Sequence, residues 1–147
     1  MKAVIQRVRS CSIEVDGATV SSMGRGLLIL LGVGKNDTDK DIGFLVRKCA
    51  GLRVFSDDDG RMNRSVKDID GDIAVVSQFT LFGDVKKGMR PYFGDAADPT
   101  LANEMYERFM KKLSEEGIPV HSGSFGAHMH VSLMNDGPVT IVIDTES

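Results

Sequence analysis

Nowhere in these 147 residues does an apolar run approach the roughly 18 uninterrupted positions that a membrane span requires. The opening Met1-Lys2-Ala3-Val4-Ile5-Gln6-Arg7 has no long apolar stretch either, so no membrane partner and a cytoplasmic protein are expected. Cysteine is scarce. Cys11 and Cys49 stand far apart without CxxC spacing, which argues against a metal knuckle or redox pair and leaves two reduced packing thiols. Basic charge is not in surplus: 18 Lys and Arg against 21 Asp and Glu leave a net charge of -3. A chain of that sign does not coat nucleic acid by bulk electrostatics, so any RNA contact must be local. Complete nucleotide-binding signatures are missing as well. Gly32-Val33-Gly34-Lys35-Asn36 lacks the first glycine and the final hydroxyl of a phosphate loop, and Gly24-Arg25-Gly26 lacks a third glycine and precedes its strand. No internal repeat or low-complexity tract suggests a linker, and the length with 41% hydrophobic residues fits one domain with a real core.

What is present reads as short strands around two helices. Residues 2 to 8 and 11 to 15 are predicted strands, with Asp16-Gly17 a turn into a weaker strand near Thr19-Val20-Ser21. Gly26-Leu27-Leu28-Ile29-Leu30-Leu31-Gly32-Val33 is a continuous apolar run whose length suits a central strand. Asp37 or Thr38 then caps a helix with Ile42, Leu45, Val46, Cys49 and Ala50 on one face, ended by Gly51. Leu52-Arg53-Val54-Phe55 is expected as a strand, Asp57-Asp58-Asp59-Gly60 as a solvated turn too bunched for calcium, and 61 to 71 as irregular. Asp98 and Pro99 open a second helix, along which Leu101, Met105, Phe109 and Leu113 share a face, with Met105 and Met110 as core filler; Gly117 stops it.

The centre of interest is Ala74-Val75-Val76-Ser77-Gln78-Phe79-Thr80-Leu81-Phe82-Gly83, an apolar strand that turns polar before it ends. Ser77, Gln78 and Thr80 so close to a doubly buried run must find hydrogen bonds or do chemistry. The plain alternative makes Thr80 a β-branched strand residue and the other two backbone braces. Asp84-Val85-Lys86-Lys87-Gly88-Met89-Arg90-Pro91 follows as a loop with three cations, either solvated or placed to meet phosphate. Ser122 to Met134 alternates like a strand, with His128 and His130 on one face. A metal there would need a third ligand, for which His121 is the only other histidine. Asn135-Asp136-Gly137-Pro138 is a strong turn signal before the closing strand Val139-Thr140-Ile141-Val142-Ile143.

Ser77-Gln78-Phe79-Thr80-Leu81 and Asn135-Asp136-Gly137-Pro138-Val139-Thr140, with Gly123-Ser124-Phe125-Gly126-Ala127 before the second, resemble the D-aminoacyl-tRNA deacylase family, also called D-tyrosyl-tRNA deacylase. Gln6-Arg7-Val8, Leu30-Leu31-Gly32-Val33, Leu52-Arg53-Val54-Phe55 and Met62-Asn63 fit in order, so the likeness runs essentially the full length. Two departures stand out: Cys11 where alanine is common, and Tyr92 after Arg90-Pro91 where serine is expected.

The resemblance implies one deacylase domain over residues 1–147, a homodimer that hydrolyses the ester joining a D-amino acid to the terminal ribose of tRNA. It also implies removal of glycine mischarged onto tRNA for alanine, with no metal or organic cofactor. On it, Ser77, Gln78, Phe79 and Thr80 are the expected catalytic segment. Gly137-Pro138 is expected as a cis peptide entering the partner subunit's pocket, and Gly137, Pro138, Met129 and Asn135 as substrate contacts. Arg7, Lys86, Lys87 and Arg90 are the candidate phosphate contacts for the tRNA acceptor end. The expected fold is a single α+β domain of curled, barrel-like antiparallel or mixed sheets with two main helices packed outside. Two other classes remain open on the residues: a non-catalytic module for RNA ends, and a metal-dependent esterase using His121, His128 and His130.

Overall fold

Alternation along the first strand sets the architecture. The structure, a computed structural model, describes residues 1–146. The chain runs β1 (Lys2–Val15), β2 (Ala18–Met23), β3 (Gly26–Gly32), α1 (Asp39–Gly51), β4 (Phe55–Ser56), β5 (Met62–Arg64) and β6 (Asp72–Ser77). A 3-10 turn (Phe79–Phe82), α2 (Pro99–Glu115), β7 (Val120–Ser122) and β8 (Met129–Asp144) complete it. In β1, Ala3, Ile5, Val8, Cys11 and Ile13 are buried. The strand is long enough to pair β3 along its first half and β2 along its second, while β8 follows its other edge. Asp16 (φ +51°) and Gly17 (φ +79°) turn β1 into β2, both in the left-handed region that a tight hairpin needs.

The sheet order is β2-β1-β3-β6-β7, with β3–β6 and β6–β7 parallel and the pairs on β1 antiparallel. The Ser21 hydroxyl on β2 donates to the Ser122 carbonyl on β7, so the mixed sheet curls into a nearly closed barrel. This explains why β3 and β6 lack a polar face. Leu27, Ile29, Leu31, Ile73 and Val75 pack into the core under the helices, while Leu28, Ala74 and Val76 pack the opposite way against Val8, Cys11, Ile13 and Met23. Each fully buried side chain of this size contributes about 1.5–3 kcal/mol, enough to hold a parallel pair that has no hairpin to join it.

Both helices bury the faces their spacing predicts: Ile42, Leu45, Val46, Cys49 and Ala50 on α1, and Ala102, Met105, Tyr106, Phe109 and Leu113 on α2, with Leu101 and Met110 half-buried. Thr38 is the N-cap of α1. Its amide donates to Asp41 Oδ2 at 2.8 Å, which holds the Asp41 carboxyl below its ordinary range. At α2, Asp98 Oδ1 accepts the Leu101 amide at 3.0 Å, and Pro99 occupies the first turn. Burial pushes both thiols up, Cys49 to about 12, so they are packing groups and not nucleophiles. Among the described residues no helix is long and apolar enough to cross a membrane.

Four segments differ from expectation. The strand expected at 52–55 is only Phe55–Ser56, and it pairs with Met62–Arg64 inside the stretch expected to be irregular. Ser122 to Met134 is not one strand: Ser124 to Ala127 form a turn between β7 and β8. Thr80 belongs to a 3-10 turn rather than a strand, because β6 ends at Ser77. The turn expected at 135–138 does not end a strand. It is a bulge inside the 16-residue β8, where pairing jumps from Gln6↔Thr140 to Val8↔Asn135.

Candidate active site

The site forms where the doubly buried β6 leaves the sheet. Ser77 is opposite Leu31 on β3, and the Gln78 amide donates to the Leu31 carbonyl at 2.8 Å. The chain then tightens into the 3-10 turn, anchored by buried Phe82. Gly32 lets the turn sit close: a Cβ there would stand 3.1 Å from both the Gln78 carbonyl oxygen and the Phe82 ring. Phe79 is left 56% exposed, its ring edge-on to Phe93 with centroids 5.1 Å apart.

Beside this strand end lies a cavity of about 480 Å³. Ser77, Gln78 and Phe79 form one wall; Phe93 and Phe125 supply aromatic surface; and Ala96, Ala97, Ala102, Gly126 and Ala127 leave the room. Val33 and Pro99 complete the lining, none of which ionises near neutral pH. Val33 is fixed by a chain of contacts from the amino terminus. The Met1 ammonium donates to Asp37 Oδ1 at 2.6 Å, Asp37 Oδ2 accepts the Gly34 amide at 2.6 Å, and the Ala97 amide donates to the Val33 carbonyl at 2.9 Å. Behind Phe125, Tyr106 donates its hydroxyl to the Val75 carbonyl at 2.8 Å, and burial pushes that phenol up to about 12. It stays neutral and structural.

The remaining candidate residues fall into three places. Thr80 is exposed on the 3-10 turn, and the Gln78 side-chain amide donates to its hydroxyl; Thr80 does not line the cavity. Gly137 and Pro138, joined by a cis peptide bond, are exposed on the β8 bulge and do not line this chain's cavity. Asn135 holds the bulge from inside: its Oδ1 accepts the Val139 amide at 2.8 Å, and its Nδ2 donates to the Val139 carbonyl at 3.2 Å and to Thr140 Oγ1 at 3.1 Å. Met129 opens β8 and packs half-buried against the smaller core cluster. Lys86, Lys87 and Arg90 are exposed in a loop whose ends are tied by two backbone bonds between Asp84 and Tyr92, of 2.8 and 2.9 Å.

Arg7 lies apart from the other three phosphate candidates. Its side chain is 12% exposed, with Nε donating to the Asp136 carbonyl at 2.8 Å and Nη1 to the Val54 carbonyl at 2.6 Å. The guanidinium is committed to bracing the bulge. The histidines do not converge: His121 Nε2 lies 2.7 Å from Asp72 Oδ2 across β7 and β6, while the rings of His128 and His130 meet each other with centroids 5.2 Å apart. Among the described residues no three His, Cys, Asp or Glu side chains gather as a metal site.

Sequence reasoning missed Phe93, Ala96 and Ala97 as cavity walls and took Pro99 only as a helix opener. The signal was the small side chains in Gly94-Asp95-Ala96-Ala97, which leave space beside the aromatic rings.

Comparison with known proteins first fixes the class. The family model described as D-Tyr-tRNA(Tyr) deacylase matches residues 4–144, which makes this small barrel with its strand-end cavity a hydrolase. D-aminoacyl-tRNA deacylases of Thermotoga petrophila and Geobacter sulfurreducens are 53% identical over 145 residues and 54% identical over 147, covering 99% and 100% of this chain and 97% of each relative. Among solved structures, one described as the c-Myc DNA Unwinding Element Binding Protein superposes with a TM-score of 0.94 at 42% identity, over 99% of both chains. Another, described as a probable eukaryotic D-amino acid tRNA deacylase, shares the fold with a TM-score of 0.77 at 20% identity, over 97% of both chains. The chain belongs to the D-Tyr-tRNA(Tyr) deacylase family.

Proposed function

We propose that this protein hydrolyses the ester of D-aminoacyl-tRNA, and of glycine mischarged onto tRNA for alanine, in a site completed by a second copy of the chain. The observation that carries the reading is a cavity against the β6 strand end with no ionisable lining. Such a wall holds no side-chain base to activate a nucleophile, and Thr80 is engaged by an amide that cannot take its proton. Phe79 lines the cavity and is the first amide of the 3-10 turn, which the turn itself leaves without an acceptor, so its N–H group is the donor for the oxyanion. Water attacks the ester carbonyl and the bond to the ribose oxygen breaks. The proton lost by water passes to that leaving oxygen through the neighbouring 2′-hydroxyl.

A proofreader for many D-amino acids must read the α-carbon, because side chains vary while configuration does not. Inflexible backbone where an L side chain would go is the most direct filter, and glycine, having no side chain, passes it. Gly137-Pro138 from the partner subunit is that wall. The support is exposure combined with fixation: the bulge protrudes from β8, yet Arg7 and Asn135 hold it from both sides. Among the described residues β8 also pairs only β1, leaving a long open edge that a second copy would protect. Lys86, Lys87 and Arg90 contact phosphates of the acceptor end.

Incubation with D- and L-aminoacyl-tRNA, with and without chelator, tests the reading: cleavage of the D form alone, unaffected by chelator, is expected. No cleavage would favour an RNA-end binding module, and chelator-sensitive cleavage a metal-dependent esterase. In single-turnover assays Thr80→Ala should stay within about tenfold of wild type, whereas removing a nucleophile or proton-transfer group costs about 10²- to 10⁴-fold. A folded but inactive Thr80→Ala variant would restore Thr80 as the nucleophile.

A further inference from the structure

Tyr92, at the foot of the cationic loop, has a use that the hydrolytic site does not account for. Its backbone is clamped to Asp84, and the next residue, Phe93, lines the cavity. Its ring lies against the backbone of Gly94, so closely that a Cβ at position 94 would collide with it, yet Tyr92 remains 66% exposed. Glycine at 94 thus lets a flat ring rest on main chain at the cavity rim while much of its surface meets solvent. The charge beside it is mainly positive. Lys86, Lys87 and Arg90 lie within five positions, and none has a carboxylate partner among the described residues. The loop's one acid, Asp84, turns Oδ1 onto the Lys86 amide at 2.9 Å. Met89 extends the same loop, 97% exposed.

An exposed aromatic ring on a fixed base, next to unneutralised cations in a chain of net charge -3, matches single-stranded nucleic acid better than a protein surface. Stacking takes the base and the cations take the adjoining phosphates. We propose that Tyr92 stacks an unpaired base of the single-stranded RNA end, just upstream of the nucleotide whose ester enters the cavity. The inference rests on the hydrolytic reading for which end is bound, and it gives this chain a contact that a serine at position 92 would not provide.

The sequence contains two tyrosines and no tryptophan, and Tyr106 is buried out of reach of a stacking base, so quenching of tyrosine emission by an added oligonucleotide reports on Tyr92, above a constant Tyr106 background. The full chain should be titrated at low salt with an unacylated oligoribonucleotide ending in CCA, and separately with inorganic tripolyphosphate, while anisotropy of a labelled oligonucleotide follows binding. Saturable quenching by the oligonucleotide but not by tripolyphosphate is expected. Tyr92→Ala should weaken binding by about tenfold, the order of one lost stack, and Tyr92→Phe should restore it. Binding without quenching, equal quenching by tripolyphosphate, an unchanged Tyr92→Ala variant, or a Phe variant as weak as Ala would each overturn the proposal. The oligonucleotide carries no ester, so this outcome is independent of whether D-aminoacyl-tRNA is cleaved.

Discussion

Gly137→Ala should lower kcat/KM for D-aminoacyl-tRNA by about 10²-fold, the scale of loss when a positioning element moves by about 1 Å. Gly137 sits at φ +147°, a conformation that L side chains rarely adopt. A Cβ there would stand 2.8 Å from Val139 Cγ2, 2.9 Å from the Val139 amide nitrogen and 3.1 Å from Arg7 Nη2. Two of those neighbours hold the bulge in place, so the added methyl displaces the brace along with the wall. Gly137 and Pro138 themselves lie outside both core clusters, and the cost to folding should stay on the order of 1–3 kcal/mol. Selectivity should fall too, with L-aminoacyl-tRNA losing less of its residual rate than the D form. A variant with wild-type kcat/KM would remove Gly137 from the site.

Val142→Asp combined with Met134→Asp should convert a dimer to a monomer in sedimentation and reduce hydrolysis by about 10²-fold, since each monomer would lack the positioning wall. Both residues are exposed, Val142 by 69% and Met134 by 56%, and they flank the bulge along β8. They pair with Val4 and Ser10 of β1, one on each side of the bulge. Apolar side chains on either side of a protruding loop are what a self-associating surface presents, and in a two-fold interface each introduced carboxylate meets the contact twice. The exposed positions should tolerate the change with little loss of stability. A variant that stays dimeric would move the interface elsewhere; one that is monomeric and fully active would remove the need for a partner.

The sequence was most informative where burial alone decides structure. The unbroken apolar runs of β3 and β6 could only be strands covered on both faces, and the faces of α1 and α2 follow from three- and four-residue spacing. The segment from Ser77 to Thr80 was marked by polarity next to such a run. What stayed hidden depends on contacts distant in sequence. Asn135-Asp136-Gly137-Pro138 carries every mark of a chain-reversing turn, but β1 is long enough to keep pairing beyond it, so tertiary pairing turned the segment into a bulge. Arg7 looked like a surface cation until the fold brought the Asp136 and Val54 carbonyls onto its guanidinium. The cavity stayed hidden because alanines and glycines mark space by omission, and its one sign, the small residues from Gly94 to Ala97, also reads as loop.

That the working site spans two subunits is tested most directly by mixing two inactive variants. One carries Gly137→Ala; the other carries Ala127→Trp, which fills the cavity. After random exchange about half the dimers are mixed, and each mixed dimer holds an unfilled cavity facing an intact Gly137 from its partner. Activity should therefore return to about a quarter of wild type. If cavity and wall belonged to the same subunit, no mixed dimer would contain a complete site, and a mixture as inactive as its components would contradict the account.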